Sequence, residues 1–245
     1  MENPEPSAPA DRPLEVSDLM DAGATAVEYN TPMGAARVDQ LARWVHDARH
    51  LVDLGCGQGA LVVRLAQLLP RLSGLGIDLD AGFVARARAR SRSGGVAERV
   101  SFTVGDIADW SGPADTVLCL GATHVFDSLD AFWARMRTAS VRRVVVGDGY
   151  FAEPPDTWLR ETFGDLPVGL DALAAPAVGA GWDVTATDCS TLDEWDEFEH
   201  RWIAGVESVG TDAAQAFAAS RREDYEERYR GRLGFGWVLA IAPDA

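Results

Sequence analysis

The sequence predicts an α/β fold, a doubly wound and mostly parallel sheet of seven strands that carries a helical cap. Apolar runs of strand length alternate with segments of helical periodicity along the chain, and repeated strand–helix units are typical of a parallel sheet. The clearest unit is 50–69, where an apolar run leads into the turn Gly55-Cys56-Gly57-Gln58-Gly59 and then into a helix. Glycine is needed where a backbone bends sharply or approaches a ligand closely, so this turn predicts a ligand site at the sheet edge.

Seven segments are predicted as strands because they are short, apolar and bounded by turn residues. The run of valines at 144–146 is typical of a strand that is buried on both faces. The predicted strands are 50–54, 74–78, 99–104, 115–120, 141–147, 181–187 and 235–242. Helical periodicity predicts helices at 16–26, 35–46, 59–69, 81–92, 127–137, 170–180, 192–205 and 212–230, with a loop feeding a further helix in 152–169.

The chain is predicted to form a single folded domain behind a short tail. Residues 1–14 are acidic and rich in proline, which predicts disorder. Residues 15–245 contain no low-complexity linker, and the segments at about 15–46 and 190–233 are predicted to form the helical cap. The break at Tyr29–Gly34 leaves two alternatives for the first part of this cap: it folds over a bound cofactor, or it is a plain helix–turn–helix packed on the sheet.

Composition and charge exclude several functional classes. The formal net charge is −16 and the sequence contains no lysine, so nucleic acid is disfavoured as a partner. The absence of lysine also excludes a P-loop and a lysine Schiff base. The three cysteines are odd in number and lack metal-ligand spacing, and no apolar run reaches transmembrane length. We expect a soluble cytoplasmic protein with no bound metal and no membrane partner.

Acidic residues end three of the predicted strand regions. Asp53, Asp78 and Asp106 follow apolar runs in chain order. The spacing Gly55-x-Gly57-x-x-Ala60 also satisfies a dinucleotide fingerprint, which keeps a nicotinamide-dependent oxidoreductase as an alternative. A carboxylate at position 53 would be unwelcome beside a pyrophosphate, whereas a ligand with ammonium and sulfonium charges would gain from it.

With the glycine turn and these three acids, the chain resembles the class I S-adenosylmethionine-dependent methyltransferases, which have a Rossmann-like fold. The resemblance implies that Asp53 and the glycine turn face the methionine portion of the cofactor, that Asp78 accepts hydrogen bonds from the ribose, and that Asp106 accepts one from the adenine amino group. S-adenosyl-L-homocysteine would be the product. The cofactor-binding residues that follow are Asp53, Gly55, Cys56, Gly57, Asp78, Leu79, Asp106, Ile107, Leu120 and Gly121. Each acid alone could instead cap a helix.

Further motifs resemble one bacterial subgroup of small-molecule methyltransferases over most of 28–240. They are Asn30-x-Pro32, Leu120-Gly-Ala-x-His124, Gly147-Asp148-Gly149-Tyr150-Phe151 with Pro154-Pro155, Glu194-Trp195-Asp196-x-Phe198-Glu199 and Gly231-Arg232-Leu233-Gly234-Phe235-Gly236. Phe151 and Phe198 depart from the pattern of the subgroup, which usually has tryptophan and tyrosine there. The subgroup indicates a fold and a cofactor, and leaves the acceptor open.

His124 is the candidate catalytic residue because it follows the fourth predicted strand, whose carboxyl end should face the ligand. An imidazole can accept a proton at neutral pH; the alternative is a histidine that only positions substrate or caps a helix. The candidate substrate-binding residues are Tyr29, Asn30, His124, Tyr150, Phe151, Trp195, Tyr229 and Arg232. Tyr229 could equally belong to the core, and Arg232 could equally pair with a surface acid.

The sequence therefore predicts methyl transfer from S-adenosylmethionine to a small-molecule acceptor, with O- or N-methylation favoured over C-methylation. The alternatives are an NAD(P)-dependent oxidoreductase and a non-catalytic S-adenosylmethionine-binding protein. The sequence leaves open whether the protein is a monomer or a homodimer.

Overall fold

The computed structural model describes residues 14–243, so the predicted disordered tail lies, apart from Leu14, outside the described residues. One seven-stranded sheet has the order β3-β2-β1-β4-β5-β7-β6. Its strands are β1 (His50–Leu54), β2 (Ser73–Asp78), β3 (Val100–Val104), β4 (Thr116–Leu120), β5 (Arg143–Phe151), β6 (Asp183–Cys189) and β7 (Leu233–Ile241). Only the pairs that involve β7 are antiparallel, which confirms the predicted mostly parallel sheet.

Nine helices of 14–243 surround the sheet. They are α1 (Val16–Ala26), α2 (Ala35–Trp44), α3 (Ala60–Leu68), α4 (Ala81–Ser93), α5 (Leu129–Thr138), α6 (Thr157–Phe163), α7 (Leu170–Gly179), α8 (Leu192–Glu207) and α9 (Asp212–Asp224). Alternate residues of the central strands contribute to two separate cores. Leu51 and Leu118 belong to one, whereas Val52 and Cys119 belong to the other. The sheet is therefore covered on both faces, as a doubly wound fold requires.

The two largest differences from the predicted boundaries are at the ends of β5 and α9. The fifth strand was expected to end at 147, because Gly147-Asp148-Gly149 has the composition of a turn. Instead β5 continues to Phe151, since its last residues pair with the start of β7, from Gly147 opposite Trp237 to Phe151 opposite Leu233. A Cβ on Gly147 would lie 2.7 Å from the Phe235 ring, so this glycine admits a large side chain from the neighbouring strand.

The second difference lies before β7. The sequence predicted one helix over 212–230, but α9 ends at Asp224 and a π-helical turn, Tyr225–Tyr229, follows it. Both tyrosines that bound this turn are buried, and their rings contact each other edge to face with centroids 5.2 Å apart. Burial of these rings fixes the turn, a tertiary effect that periodicity alone does not reveal.

Helices α1, α8 and α9 form the cap and share a small core of their own, built on residues such as Leu19, Trp202 and Val206. A Cβ on Gly23 of α1 would lie 2.3 Å from Trp202, so the small residue lets α1 approach α8. The buried carboxylate of Glu199 on α8 accepts two hydrogen bonds from Arg221 on α9, at 2.8 and 2.9 Å. This pair joins the two helices of the C-terminal part of the cap.

In the range 14–243, no helix combines the length and the apolar content needed to cross a membrane. The same range contains no group of three or more His, Cys, Asp or Glu side chains arranged to hold a metal ion.

Glu199→Gln is expected to lower the free energy of unfolding by about 2 kcal/mol, because the partly buried Arg221 guanidinium loses the charged acceptor of its two hydrogen bonds. The matched control is Glu197→Gln on the same helix, which removes an exposed pair with Arg201 and should cost no more than about 0.5 kcal/mol. Urea denaturation followed by circular dichroism measures both. Equal losses in the two variants would contradict the buried pair as the link between α8 and α9.

Candidate active site

A cavity of about 420 Å³ lies at the carboxyl ends of β1, β2, β3 and β4. The strand order reverses direction between β1 and β4, and ligands of doubly wound sheets bind in the crevice at such a point. The chain segment between α1 and α2 forms the opposite wall. All ten cofactor-binding residues predicted from sequence line this cavity, namely Asp53, Gly55, Cys56, Gly57, Asp78, Leu79, Asp106, Ile107, Leu120 and Gly121.

The glycine turn between β1 and α3 is a loop that only glycine can form at low cost. Gly55, Gly57 and Gly59 have φ of +81°, +50° and +70°, a left-handed region in which a Cβ is strained. A Cβ on Gly55 would also lie 2.6 Å from the Ala122 side chain. The turn therefore brings main chain close to the cavity and delivers it to the amino end of α3, where amide groups favour polar or anionic parts of a ligand.

Asp53 is the most deeply buried acid of the cavity. Its side chain points from β1 and is 4% exposed, and no residue within 14–243 donates a hydrogen bond to its carboxylate. Burial, with a smaller contribution from the negative charge of Asp78, raises the pKa of Asp53 to about 7. A buried carboxylate without a donor is stabilised by a cation, so the cavity favours a positively charged ligand at this position.

Asp78 is held by the main chain. Its carboxylate accepts hydrogen bonds from the amides of Gly57 and Asp80, at 2.7 and 2.9 Å. These two bonds fix the carboxylate at the end of β2, at the edge of the cavity. The helix cap of α4 is provided by Asp80, whose carboxylate accepts from the Phe83 amide at 2.6 Å. The helix-capping alternative therefore does not apply to Asp78.

Asp106 combines both of the roles considered for it. Its Oδ1 accepts a hydrogen bond from the Ala108 amide at 2.9 Å and starts the short 3₁₀ turn Ile107–Asp109. It also lines the cavity, together with Ile107 and with Leu79, whose side chain is 73% exposed. Leu79 offers apolar surface for the flat face of a base, and the nearby carboxylate of Asp106 can accept a hydrogen bond from the polar edge of that base.

The segment between α1 and α2 is tied to the glycine turn by Gln58. Its side-chain amide donates to the carbonyls of Ala24 and Val27, at 3.1 and 3.2 Å. The segment between α1 and α2 therefore lies against the cavity, whereas Val38 and Leu41 of α2 belong to a core on the sheet. Cavity residues that the sequence did not indicate are Ala24, Glu28, Thr31, Met33, Gln58, Ala60, Leu61, Phe83, Ala122 and Val125.

His124 lies on the 3₁₀ turn Thr123–Val125 after β4 and lines the cavity. The hydroxyl of the preceding residue, Thr123, is buried and donates a short hydrogen bond to the carboxylate of Asp148 in β5. The Gly149 amide donates to the other oxygen of that carboxylate at 2.7 Å. Burial raises the pKa of Asp148 despite these donors, and the charges of Asp148 and His124 interact.

Asp148 was missed as a site residue, although a signal was present. It is a fourth acid near the carboxyl end of a parallel strand, as Asp53, Asp78 and Asp106 are. The sequence prediction ended this strand at 147 and so left Asp148 outside it.

Only some of the residues predicted to bind substrate line the cavity. Tyr29, Asn30 and His124 line the cavity, whereas Tyr150, Phe151, Trp195, Tyr229 and Arg232 do not. Arg232 forms ion pairs with Glu153 and Asp156, at 3.3 and 3.0 Å. The surface-pairing alternative considered for this arginine is therefore the one that the structure shows.

The four aromatic residues outside the cavity serve packing. Phe151 is fully buried, and Trp195 and Tyr229 are 9% and 4% exposed in the same core. The ring of Tyr150 lies over Gly234, where a Cβ would come within 2.3 Å of it. These rings pack against the sheet and the cap and do not line the cavity, and their contact with substrate stays a prediction.

Comparison with known proteins agrees with this geometry. Residues 52–142 match the model of a methyltransferase domain family. The uncharacterized protein YjhP of Escherichia coli (strain K12) is 28% identical over 209 residues, covering 78% of this chain and 83% of that protein. Trans-aconitate 2-methyltransferase of Acidovorax sp. (strain JS42) is 40% identical over 75 residues, 30% of this chain and 27% of that enzyme.

The fold has a close counterpart among solved structures. A methyltransferase from Geobacter sulfurreducens, crystallised in complex with S-adenosyl-L-homocysteine, superposes with a TM-score of 0.81 at 23% identity, covering 91% of this chain and 97% of that one. At this identity the superposition establishes the fold, and the domain match covers the glycine turn and the three acidic strand ends. Residues 52–142 thus match a methyltransferase domain, in a chain that shares the fold of an S-adenosylmethionine-dependent methyltransferase of known structure.

Proposed function

We propose that the protein methylates a small molecule at oxygen or nitrogen, with His124 as the general base. The observation that carries this proposal is the convergence of Asp53, Asp78, Asp106 and His124 on one cavity beneath the α1–α2 segment. A chain of net charge −16 repels phosphate backbones, which disfavours a nucleic acid acceptor. The chain segment folded across the cavity further favours an acceptor of small size.

The residues of the cavity fit the cofactor better than a dinucleotide. Bound S-adenosylmethionine would supply a methyl group already activated by its sulfonium charge. Asp53 would stabilise the positive charge, Asp78 presents a carboxylate already oriented by two amides, and Asp106 keeps one oxygen free of its own turn. A pyrophosphate in the same turn would face the buried Asp53 charge without a compensating cation, which argues against the oxidoreductase alternative.

The protein's task in this reaction is chiefly to orient the acceptor and to remove its proton. The acceptor oxygen or nitrogen uses its own electron pair to form the bond to the methyl carbon, and its proton passes to the imidazole of His124. His124 suits this role because it lies beside Leu120 and Gly121 at the carboxyl end of β4, where the sulfonium is expected.

Isothermal titration is expected to detect binding of S-adenosylmethionine and no binding of NAD(H). Once an acceptor is found by mass-spectrometric screening, His124→Ala should lower kcat by about 100-fold or more, with cofactor affinity unchanged. An unchanged kcat would eliminate His124 as the base. Binding of NAD(H) alone would favour the oxidoreductase, and cofactor binding without turnover of any acceptor would favour the non-catalytic alternative.

The affinity for S-adenosylmethionine should depend on the ionisation of Asp53. Because the pKa of Asp53 is about 7 in the folded protein, the carboxyl is protonated below that pH and must lose its proton to pair with a cation. The dissociation constant is therefore expected to rise by up to about tenfold for each pH unit from 7 to 5 and to be lowest above 7. Titrations at several pH values measure this dependence.

Asp53→Asn is the matched control for the pH dependence, since it keeps the shape of the side chain and removes its ionisation. Its dissociation constant should be higher than that of the unsubstituted protein at pH 7 and nearly independent of pH between 5 and 7. A variant with the same pH dependence as the unsubstituted protein would show that another group is responsible.

Thr123 and Asp148 are expected to act as positioning residues for His124. Thr123→Val keeps the shape of the side chain but removes the hydroxyl that anchors the turn to Asp148, and should lower kcat roughly 10- to 100-fold with cofactor affinity unchanged. Thr123→Ser retains the hydroxyl and should restore most of the activity. Equal activity of the valine and serine variants would exclude this role.

A further inference from the structure

A second cavity, of about 510 Å³, lies on the other side of the α1–α2 segment from the first. It is bounded by α2, α3 and α8. Glu28, Tyr29, Thr31 and Met33 line both cavities, so the two are separated by a single layer of side chains. Nothing in the cofactor assignment uses this space.

The size of the first cavity leaves little room for an acceptor. Pockets for drug-sized ligands span about 300–1,000 Å³, and the first cavity, at about 420 Å³, is near the lower end of this range. The proposed function places both the adenosine and the methionine portions of the cofactor in this cavity. The acceptor therefore needs additional space that opens toward the sulfonium.

The second cavity is adjacent to the required position. Thr31 lines it and also contacts the loop after β4, since a Cβ built on Gly121 would lie 3.5 Å from Cγ2 of Thr31. Gly121 is the residue expected beside the sulfonium. Thr31 thus spans from the second cavity to the point where the methyl group would be transferred.

The lining of the second cavity combines apolar surface with an excess of negative charge. Its apolar part includes Val38, Met33 and the ring of Phe198, and Tyr29 adds a second aromatic ring. Five carboxylates and two guanidinium groups line it, which gives a formal charge of −3. An ammonium group is attracted both by carboxylates and by the faces of aromatic rings.

The individual carboxylates differ in their availability. Glu194 is already engaged by Arg37 and by the Gly34 and Thr191 amides, and Glu197 pairs with Arg201. Asp39 on α2 and Asp193 on α8 have no such partner among the contacts within 14–243 and are exposed. These two are the carboxylates best placed to receive a cation from a ligand.

Resting on the proposed methyl transfer, we propose that the second cavity binds the methyl acceptor and that this acceptor is a small apolar molecule bearing an ammonium group. The ammonium lies toward Asp39 and Asp193, and a separate hydroxyl or amine of the same molecule points past Tyr29 and Thr31 to the first cavity. That second group forms the new bond to the methyl carbon, the electron pair of the broken carbon–sulfur bond stays on sulfur, and the acceptor proton passes to His124. The ammonium charge is unchanged by the reaction.

The test uses the full-length protein saturated with S-adenosyl-L-homocysteine and three probes of similar size: 2-phenylethylamine, 2-phenylethanol and 3-phenylpropanoate. Ligand-observed NMR titration measures their affinities. The amine is expected to bind at least threefold more tightly than the alcohol, and the carboxylate most weakly. Equal affinities, or a preference for the carboxylate, would overturn the proposal.

The site is tested with Asp39→Asn combined with Asp193→Asn. This double variant should bind the amine at least threefold more weakly and the alcohol as before, with the affinity for S-adenosyl-L-homocysteine unchanged. The control is Asp183→Asn, an exposed acid at the start of β6, the other end of that strand from Asp188, which contacts α2. This variant should change none of these affinities. An equal effect in the control, or none in the double variant, would refute the assignment.

The two levels of the proposal fail separately. Absence of S-adenosyl-L-homocysteine binding would remove the proposed function itself. Normal binding of S-adenosyl-L-homocysteine with no preference among the probes would remove only the assignment of the acceptor cavity.

Discussion

The site depends on one uncompensated charge, the carboxylate of Asp53, which β1 buries at the centre of the sheet with no donor from residues 14–243. Ionising such a group in the folded protein is unfavourable until a cation pairs with it. The glycine turn lets a ligand approach the main chain beside this carboxylate, and the α1–α2 segment lies over the cavity that would hold the ligand. A positively charged ligand therefore stabilises the site that binds it, which links cofactor binding to the fold.

Much of the fold was predictable because its units are local. β1 begins and ends where the sequence predicted, and α1 likewise spans 16–26 as expected. The failures arise where distant segments decide the outcome. The residues 148–151 look like a loop in isolation, yet they form strand because β7 supplies partners across glycines that leave room for the Phe235 and Tyr150 rings. The local sequence does not show which distant segment will pair with these residues.

The same distinction separates the two halves of the site. The residues predicted to bind the cofactor follow strands directly in sequence. Parallel strands bring their carboxyl ends to one edge, so the topology itself places Asp53, Asp78 and Asp106 together. The residues predicted to bind substrate included several aromatic side chains, and aromatic side chains suit a pocket and a core equally well. Trp195 and Tyr229 lie in the core. Their position depends on how α8 and the π-helical turn pack on the sheet.

Arg37 holds α2, the helix that carries Asp39, against both the sheet and the cap. This buried guanidinium binds Asp188 of β6 at 2.5 Å, the Cys189 carbonyl at 2.6 Å and Glu194 of α8 at 3.2 Å, so it fixes α2 against the sheet and the cap together. These contacts hold α2 in place at the wall of the second cavity. The exposed side chain of Asp39, which has no partner among residues 14–243, therefore does not contribute to holding that wall. Substitutions at positions such as Asp39 can then alter the charge offered to an acceptor without loosening the sheet edge that holds the cofactor.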